Sequence, residues 1–421
     1  MGVDQPGSFV NNTPNIAPAT TITDFQLIKV LGQGTFATVY LARRIANNQL
    51  YAVKVIKKSL VLQSNELEHT NAELKILSQL NHPNLIRLHG AFQNADNLYL
   101  VLDFMGGGEL FHHLQKNKHF SERTTLYIIA QLILALQELH SKQIIMRDLK
   151  PENILFDSDG YVKITDFGLS KLQKTEGQVT GTTFCGTAEY LSPEQLRNQP
   201  HGIEVDYWAI GIIAYEMMAG IPPFYNKDHK VMFKLILKGE PKFSEKIFSQ
   251  QAQLFIKQCL EKDPKKRLGS PHNNTNVKTH PWFNKLDWDK LYNKMYELEY
   301  IPQQQKQETQ GNVDVSNFNP NFTQRQIDRE EVMNLTALNL ENQALFEGFD
   351  VDSQIVEQIL KDKLEKAAIE HFEGKDDLMS LGCNDETGIP IQQLVKQPTV
   401  MWKGKRNIQE SDDDIDKELS I

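Results

Sequence analysis

Apolar positions alternate from Asp24 onward: F-Q-L-I-K-V-L, then T-V-Y-L-A beyond a glycine turn, then Y-A-V-K-V-I. A period of two in β-branched and aromatic residues predicts half-buried strands, here three in succession. Between Leu62 and Leu80 the spacing becomes helical, with Leu67, Leu74, Ile76, Leu77 and Leu80 as its apolar positions. After N-H-P-N come two more short apolar runs, L-I-R-L-H and N-L-Y-L-V-L-D-F. The first part of the chain therefore predicts a small antiparallel sheet with one main helix. From Glu109 helical spacing takes over, including Thr124 to His140 and Ile203 to Ala219, and the globular unit is expected to end near His280-Pro281-Trp282-Phe283. Strands first and helices afterwards make this an α+β chain. The flanks lack such order. Residues 1–23, rich in Asn, Thr, Pro and Gly, read as a flexible leader, and Gln303 to Asn321 as a polar linker. Asp352 to His371 has charged helical character, and Ser411 to Lys417 is an acidic run of the kind that is usually solvated.

Chemistry concentrates between Gln143 and Glu194. The strings are Q-I-I-M-R-D-L-K-P-E-N-I-L-F, K-I-T-D-F-G-L-S-K and T-T-F-C-G-T-A-E-Y-L-S-P-E. They supply a carboxylate beside a lysine and an asparagine (Asp148, Lys150, Asn153), then a second carboxylate at a Phe-Gly turn (Asp166). Phosphoryl transfer from a metal-bound nucleotide needs such a set: an acid to orient and deprotonate the acceptor hydroxyl, oxygen ligands for the metal, and positive charge on the moving phosphate. Asp148 is the candidate base, Asn153 and Asp166 the candidate metal ligands, and Lys150 the candidate cation at the γ-phosphate. Each string alone is weak. In this order, and followed by S-P-E, they make solvated loop charges an improbable reading.

Leu31-Gly32-Gln33-Gly34-Thr35-Phe36-Ala37-Thr38-Val39 lies between two predicted strands. Its glycines would let backbone N–H groups approach phosphates. A dinucleotide-binding reading would require a helix next, whereas T-V-Y-L-A continues as strand. Lys54 sits in the apolar strand A-V-K-V, where an unpartnered ammonium is costly, so a counter-charge is expected. Glu73 on the following helix is the candidate, with Lys54 then holding the α- and β-phosphates. Val39, Ala52 and Leu155 would enclose an adenine, and backbone groups of Asp103 and Met105 would bind its edge beside Leu102. For the apolar residues a plain core role competes.

Composition narrows the picture. With 421 residues the chain is long enough for two or three domains, and 40% hydrophobic and 24% charged content is ordinary for a globular protein. A net charge of −9 argues against general nucleic-acid binding. Cys185, Cys259 and Cys383 are scattered, which fits a reducing compartment, cytoplasmic or also nuclear. The longest apolar run, Trp208 to Phe224, is interrupted by Glu216 and two prolines, so no membrane span is expected. Pro6 stands where a myristoylation signal after Met1-Gly2 wants Ser or Thr.

With these strings in view, residues 24–283 closely resemble a eukaryotic protein kinase domain. F-C-G-T-A-E-Y, G-G-G-E-L-F, R-L-G at Arg267 and the tail string L-F-E-G-F-D resemble the AGC group, nearest the serum/glucocorticoid-regulated and Akt-like branch. The resemblance implies a bilobal α+β fold: an N-lobe over about 24–104, a C-lobe over about 105–283, an AGC-type extension over 284–350 and a further acidic tail over 351–421. It implies ATP and Mg2+ as cofactors, Ser/Thr acceptors in protein substrates with basic motifs, an upstream activating kinase, and a monomer. Asp206 would hold the catalytic-loop backbone, Glu194 would pair with Arg267, and Leu77, Leu88, Met146 and Phe167 would form a hydrophobic spine. Met146 and Ala37 depart from the family pattern, Met146 replacing Tyr or His and Ala37 a glycine. A catalytically weak pseudokinase acting as a nucleotide-binding scaffold is the alternative these departures leave open.

The same resemblance assigns specificity and control. Glu109, Glu152 and Glu216 would bind arginines upstream of the acceptor, and Phe184 and Leu191 an apolar residue after it. Thr183 would be the activating phosphorylation site, with His69, Arg147 and Lys171 as its basic pocket. Phe346 and Phe349 would dock on the N-lobe near Lys58, Leu62, Leu67, Gln93 and Leu98. Asp350, where many relatives carry a phosphorylated Ser or Thr, would provide a fixed negative charge.

Overall fold

The computed structural model describes residues 20–172, 187–273, 276–303, 313–328, 332 and 343–351. Its first lobe is an antiparallel sheet of β1 (Phe25–Gln33), β2 (Ala37–Arg44), β3 (Leu50–Lys57), β4 (Leu88–Gln93) and β5 (Asn97–Asp103), in the spatial order β1-β2-β3-β5-β4. Alternation divides this sheet into two apolar faces. Tyr51, Val53 and Val55 of β3 join Phe25, Tyr40, Phe92 and Tyr99 on one face. Ala52 and Ile56 pack with the other face, which is continuous with the main core. Lys54 lies between those two in sequence, so the period of two directs it toward the second lobe.

The helical stretch after β3 is divided. Lys58–Gln63 forms α1 and Leu67–Leu77 forms α2, in place of one helix over 62–80. Asn65 takes φ +56, a left-handed conformation that asparagine tolerates and that ends a helix. The break lets α2 turn its own face to the sheet, burying Glu73, Leu74, Ile76 and Leu77.

In the second lobe a short strand β6 (Gly108–Glu109) leads into α3 (Leu110–Asn117) and α4 (Glu122–Ser141). Ser121 caps α4 by accepting from the Thr124 amide at 3.0 Å, which starts the helix two residues before the expected boundary. Then follow β7 (Ile144–Ile145), β8 (Ile154–Phe156), β9 (Val162–Ile164), β10 (Lys171–Leu172), α5 (Pro193–Leu196), α6 (Glu204–Ala219), α7 (His229–Lys238) and α8 (Gln250–Cys259). Helix α6 is buried on every side from Val205 to Met218, which accounts for its apolar residues falling on all faces, with Asp206 and Glu216 as the buried acids among them. Among the described residues no helix is long and apolar enough to cross a membrane.

Beyond Phe283 the chain returns along both lobes. Tyr161 donates to the Tyr296 carbonyl at 2.8 Å, and Tyr99 to the Val332 carbonyl at 2.7 Å. Phe346 and Phe349 are 1% and 2% exposed within the main core cluster, and Val351 exchanges two 2.8 Å backbone bonds with Ala91 of β4.

Candidate active site

The strand register places Lys54 opposite Val39 of β2 and Leu100 of β5. Its Nζ lies 2.6 Å from Glu73 Oε1 and 3.7 Å from Asp166 Oδ1, so β3, α2 and the D-F-G turn meet at one ammonium. Burial by itself would favour the neutral amine; the Glu73 and Asp166 carboxylates outweigh it and hold Lys54 charged.

The loop after β7 carries the second group. Asp206, at the start of α6, accepts from the Met146 and Arg147 amides at 3.0 and 2.9 Å and from His140 Nε2 at 2.8 Å. Held in this way, Arg147 adopts φ +64, and the chain turns Asp148 and Lys150 to meet at 2.6 Å. Asn153 donates its amide to the Asp148 carbonyl at 2.9 Å. Burial pushes the Asp148 carboxyl upward, opposed by Lys150, while the Thr187 amide also stabilises its charged form. Asp148 raises Lys150 in return, after the lowering effect of its own burial. Asp166 has φ +62, and about half of its side chain is exposed, in contrast to the buried Phe167 that follows it.

Leu31 is buried, with Gly32, Gln33 and Gly34 running along the edge of the sheet to Thr35 and Phe36 at its turn. Ala37 pairs in register with Ile56 and has no left-handed backbone, so the missing glycine costs no strain there. Ala52 and Leu155 pack against the main cluster, and Leu102 and Met105 are buried beside them in it. Met146 is fully buried with Leu77, Leu88 and Phe167, and Ser170 Oγ lies 3.4 Å from its sulfur.

The acids and the outlying residues fall as follows. Burial, and then the nearby Glu152 carboxylate, push Glu109 up to about 7. Glu216 is buried on α6 and accepts from the Tyr190 hydroxyl at 2.6 Å, while Leu191 is buried next to that tyrosine. His69 Nδ1 lies 2.6 Å from Glu66, and Arg147 Nε donates to the Leu169 carbonyl at 2.8 Å. Lys171 begins β10, and Thr183 and Phe184 lie outside the described residues. Lys58 Nζ sits 5.0 Å over the Phe346 ring and bonds the Asn94 carbonyl and Gln343 Oε1, both at 2.8 Å. Gln93 donates its backbone amide to Asp350 at 3.2 Å and its side chain at 2.8 Å.

Sequence reasoning missed the side chain of Asp103, expected only for its backbone. It accepts from His89 at 2.7 Å, from Lys163 at 2.6 Å and from the Arg87 amide at 3.1 Å, and is held down at about 2 against the upward push of burial. This ties β5 to β9, three residues before Asp166. The only available signal was an acid at the end of an apolar strand, which does not name its partners.

Comparison with known proteins gives a consistent result. Residues 25–283 match the protein kinase domain family. A RAC family serine/threonine-protein kinase homolog of Dictyostelium discoideum is 41% identical over 345 residues, covering 80% of this chain and 73% of the relative. The serine/threonine-protein kinase sgk-1 of Caenorhabditis elegans is 40% identical over 330 residues, 77% and 70% of the two chains. The human Sgk1 kinase is 40% identical over 323 residues, 76% and 73% of the two chains.

Proposed function

The chain belongs to the protein kinase family, as a serine/threonine kinase of the AGC group near the Sgk and Akt branch, and from that premise we propose how its residues work. Kinases of this family use ATP with a divalent metal, which here is Mg2+. Asp166 and Asn153 fit a hard cation that takes few protein ligands and completes its shell with phosphate oxygens and water. The Asp166 carboxylate is exposed, and the Asn153 amide group is oriented by its bond to the Asp148 carbonyl. When bound, the metal offsets phosphate charge.

The protein's own groups do the rest. Backbone N–H groups of residues 32–37 cover the phosphates, and Lys54, kept charged by Glu73, holds the α- and β-phosphates. Val39, Ala52 and Leu155 enclose the adenine, whose edge meets the backbone of Asp103 and Met105. Asp148 takes the proton of the acceptor hydroxyl, and Lys150 bonds the γ-phosphate. The observation that carries this reading is the meeting of Lys54 with Glu73 at 2.6 Å and Asp166 at 3.7 Å. Mg-ATP-dependent transfer to an arginine-bearing serine peptide tests it; equal transfer by an Asp166→Ala variant would sink the assignment.

Glu109, Glu152 and Glu216 select arginines upstream of the acceptor, and Phe184 and Leu191 an apolar residue after it. A guanidinium suits Glu109 because it restores the charge that burial disfavours. Phosphorylation of Thr183 by an upstream kinase recruits His69, Arg147 and Lys171 and joins α2 to the catalytic loop. Thr183→Ala should then lower activity severely. Phe346 and Phe349 dock constitutively on the N-lobe, with Asp350 as a charge no phosphatase removes; the buried rings and the Gln93–Asp350 bonds support this. The enzyme acts as a monomer in signalling inside the cell, in the cytoplasm and also the nucleus.

A further inference from the structure

Three consecutive glycines, Gly106 to Gly108, connect the adenine-edge segment to Glu109. Glycine has the most backbone freedom to lose, so a triglycine leading into a binding carboxylate would place it poorly unless something held the backbone. Two of the three cannot be anything else here. A Cβ on Gly107 would lie 2.5 Å from Phe156 Cβ, and one on Gly108, which has φ +74, would lie 2.3 Å from the Asn317 carbonyl oxygen.

The groups that hold this segment come from α3 and from the C-terminal extension. Asn117 Nδ2 donates to the Tyr300 hydroxyl at 3.1 Å, and that hydroxyl meets His113 Nδ1 at 2.7 Å. His113 Nε2 meets the Gly107 carbonyl at 2.6 Å. A carbonyl can only accept, so Nε2 carries the proton, Nδ1 is the acceptor, and the tyrosine must donate. The directions therefore run one way, from Asn117 through Tyr300 and His113 to Gly107. His113 is 2% exposed, and its burial favours the neutral ring that this chain of bonds requires. Independently, Asn317 Nδ2 bonds the Gly106 carbonyl at 3.3 Å and the Gln303 carbonyl at 3.2 Å, while Asn317 itself is 4% exposed.

We propose that Tyr300, acting through His113, and Asn317 form a splint that fixes the triglycine and so sets the position of Glu109 for substrate arginine. They are positioning residues for specificity, and they give the extension a part in substrate choice that is separate from the tail aromatics. The inference rests on the reading of Glu109 as the arginine acceptor.

The test compares two serine peptides that differ only in carrying arginine or alanine at the position Glu109 reads, using the full chain phosphorylated by its activating kinase. Tyr300→Phe keeps the ring among Phe120, Phe156 and His113 while removing the one donor to His113. Asn317→Ala removes the second support without touching the first. Each should raise KM for the arginine peptide roughly three- to tenfold, the scale of one lost positioning hydrogen bond. The alanine peptide, kcat and KM for ATP should be unchanged within about twofold. An unchanged arginine-to-alanine selectivity in both variants, or an equal loss on both peptides, overturns the splint. Glu109→Ala is run alongside. If it abolishes arginine selectivity while the extension variants keep it, the splint alone fails; if it leaves selectivity intact, the arginine reading of Glu109 fails and the splint falls with it.

Discussion

Two ion pairs in this molecule are built from the same kinds of group and behave differently. Arg267 meets both Glu194 oxygens, at 2.5 and 2.9 Å, with side-chain exposures of 0% and 2%. Two further donors go to the Glu204 and Glu261 carbonyls at 2.9 and 3.0 Å, and its guanidinium lies over Trp208. Lys54 meets one oxygen of Glu73 at 2.6 Å and stands looser at 3.7 Å from Asp166, with 18% of its side chain exposed. A planar guanidinium with four of its five N–H groups committed to a bidentate acid and two carbonyls is held in one orientation. An ammonium gripped on one side retains donors for a ligand. The pair in the helical lobe is therefore the rigid one, and the pair in the cleft the one with donors left over.

The sharpest way to break the parallel is Lys54→Met. It should lower kcat/KM by about a thousandfold, the scale of losing a preorganised transition-state cation, and shift the melting temperature less than the Arg267 change does, because Lys54 is partly exposed where Arg267 is sealed. Arg267→Met should do the reverse. Leaving Glu194 buried and unpaired costs about 3–5 kcal/mol, and the melting temperature should fall by roughly 10 °C with kcat of the folded fraction within a few-fold. Should both variants lose activity and stability alike, the division between the two pairs is wrong.

Glu109 sharpens the contrast, being a half-buried acid whose charged neighbour is another acid. Its folded pKa is raised to about 7, so it carries its charge mainly above neutrality. KM for an arginine peptide should fall by about tenfold between pH 6 and pH 8 as Glu109 ionises, with no such trend for the alanine peptide. The raised pKa also makes the ionised acid a stability cost that grows as pH rises past the unfolded value of 4.5, so tighter arginine binding and lower stability share a direction. The smallest effect is expected for Asp350→Ala. Its bonds to Gln93 are exposed, so activity should drop only about twofold in a peptide assay.

The catalytic loop and the D-F-G turn were legible because phosphoryl transfer demands particular acids and amides at short sequence distance. The sheet was legible because alternation marks each strand. Two kinds of feature were not. The break at Asn65 was hidden by leucines that stay in helical phase across it, although Ser64-Asn65 carried the turn chemistry that could have exposed it. The Asp103–Lys163 pair and the His113–Tyr300 bond join residues 60 and 187 positions apart, and no periodicity encodes such a meeting. Ala37 was read as a possible weakness, but the backbone there is ordinary strand.

Strand β4 forms one edge of the five-stranded sheet, and an edge is a row of unpaired donors and acceptors that can recruit another chain. Val351 occupies part of that edge through its two bonds with Ala91, beside the apolar surface covered by Phe346 and Phe349. With that edge occupied, fewer of its donors and acceptors are open to a second chain. A chain ended at Leu345 is expected to form concentration-dependent aggregates in light scattering even where its residual activity is unaffected by dilution.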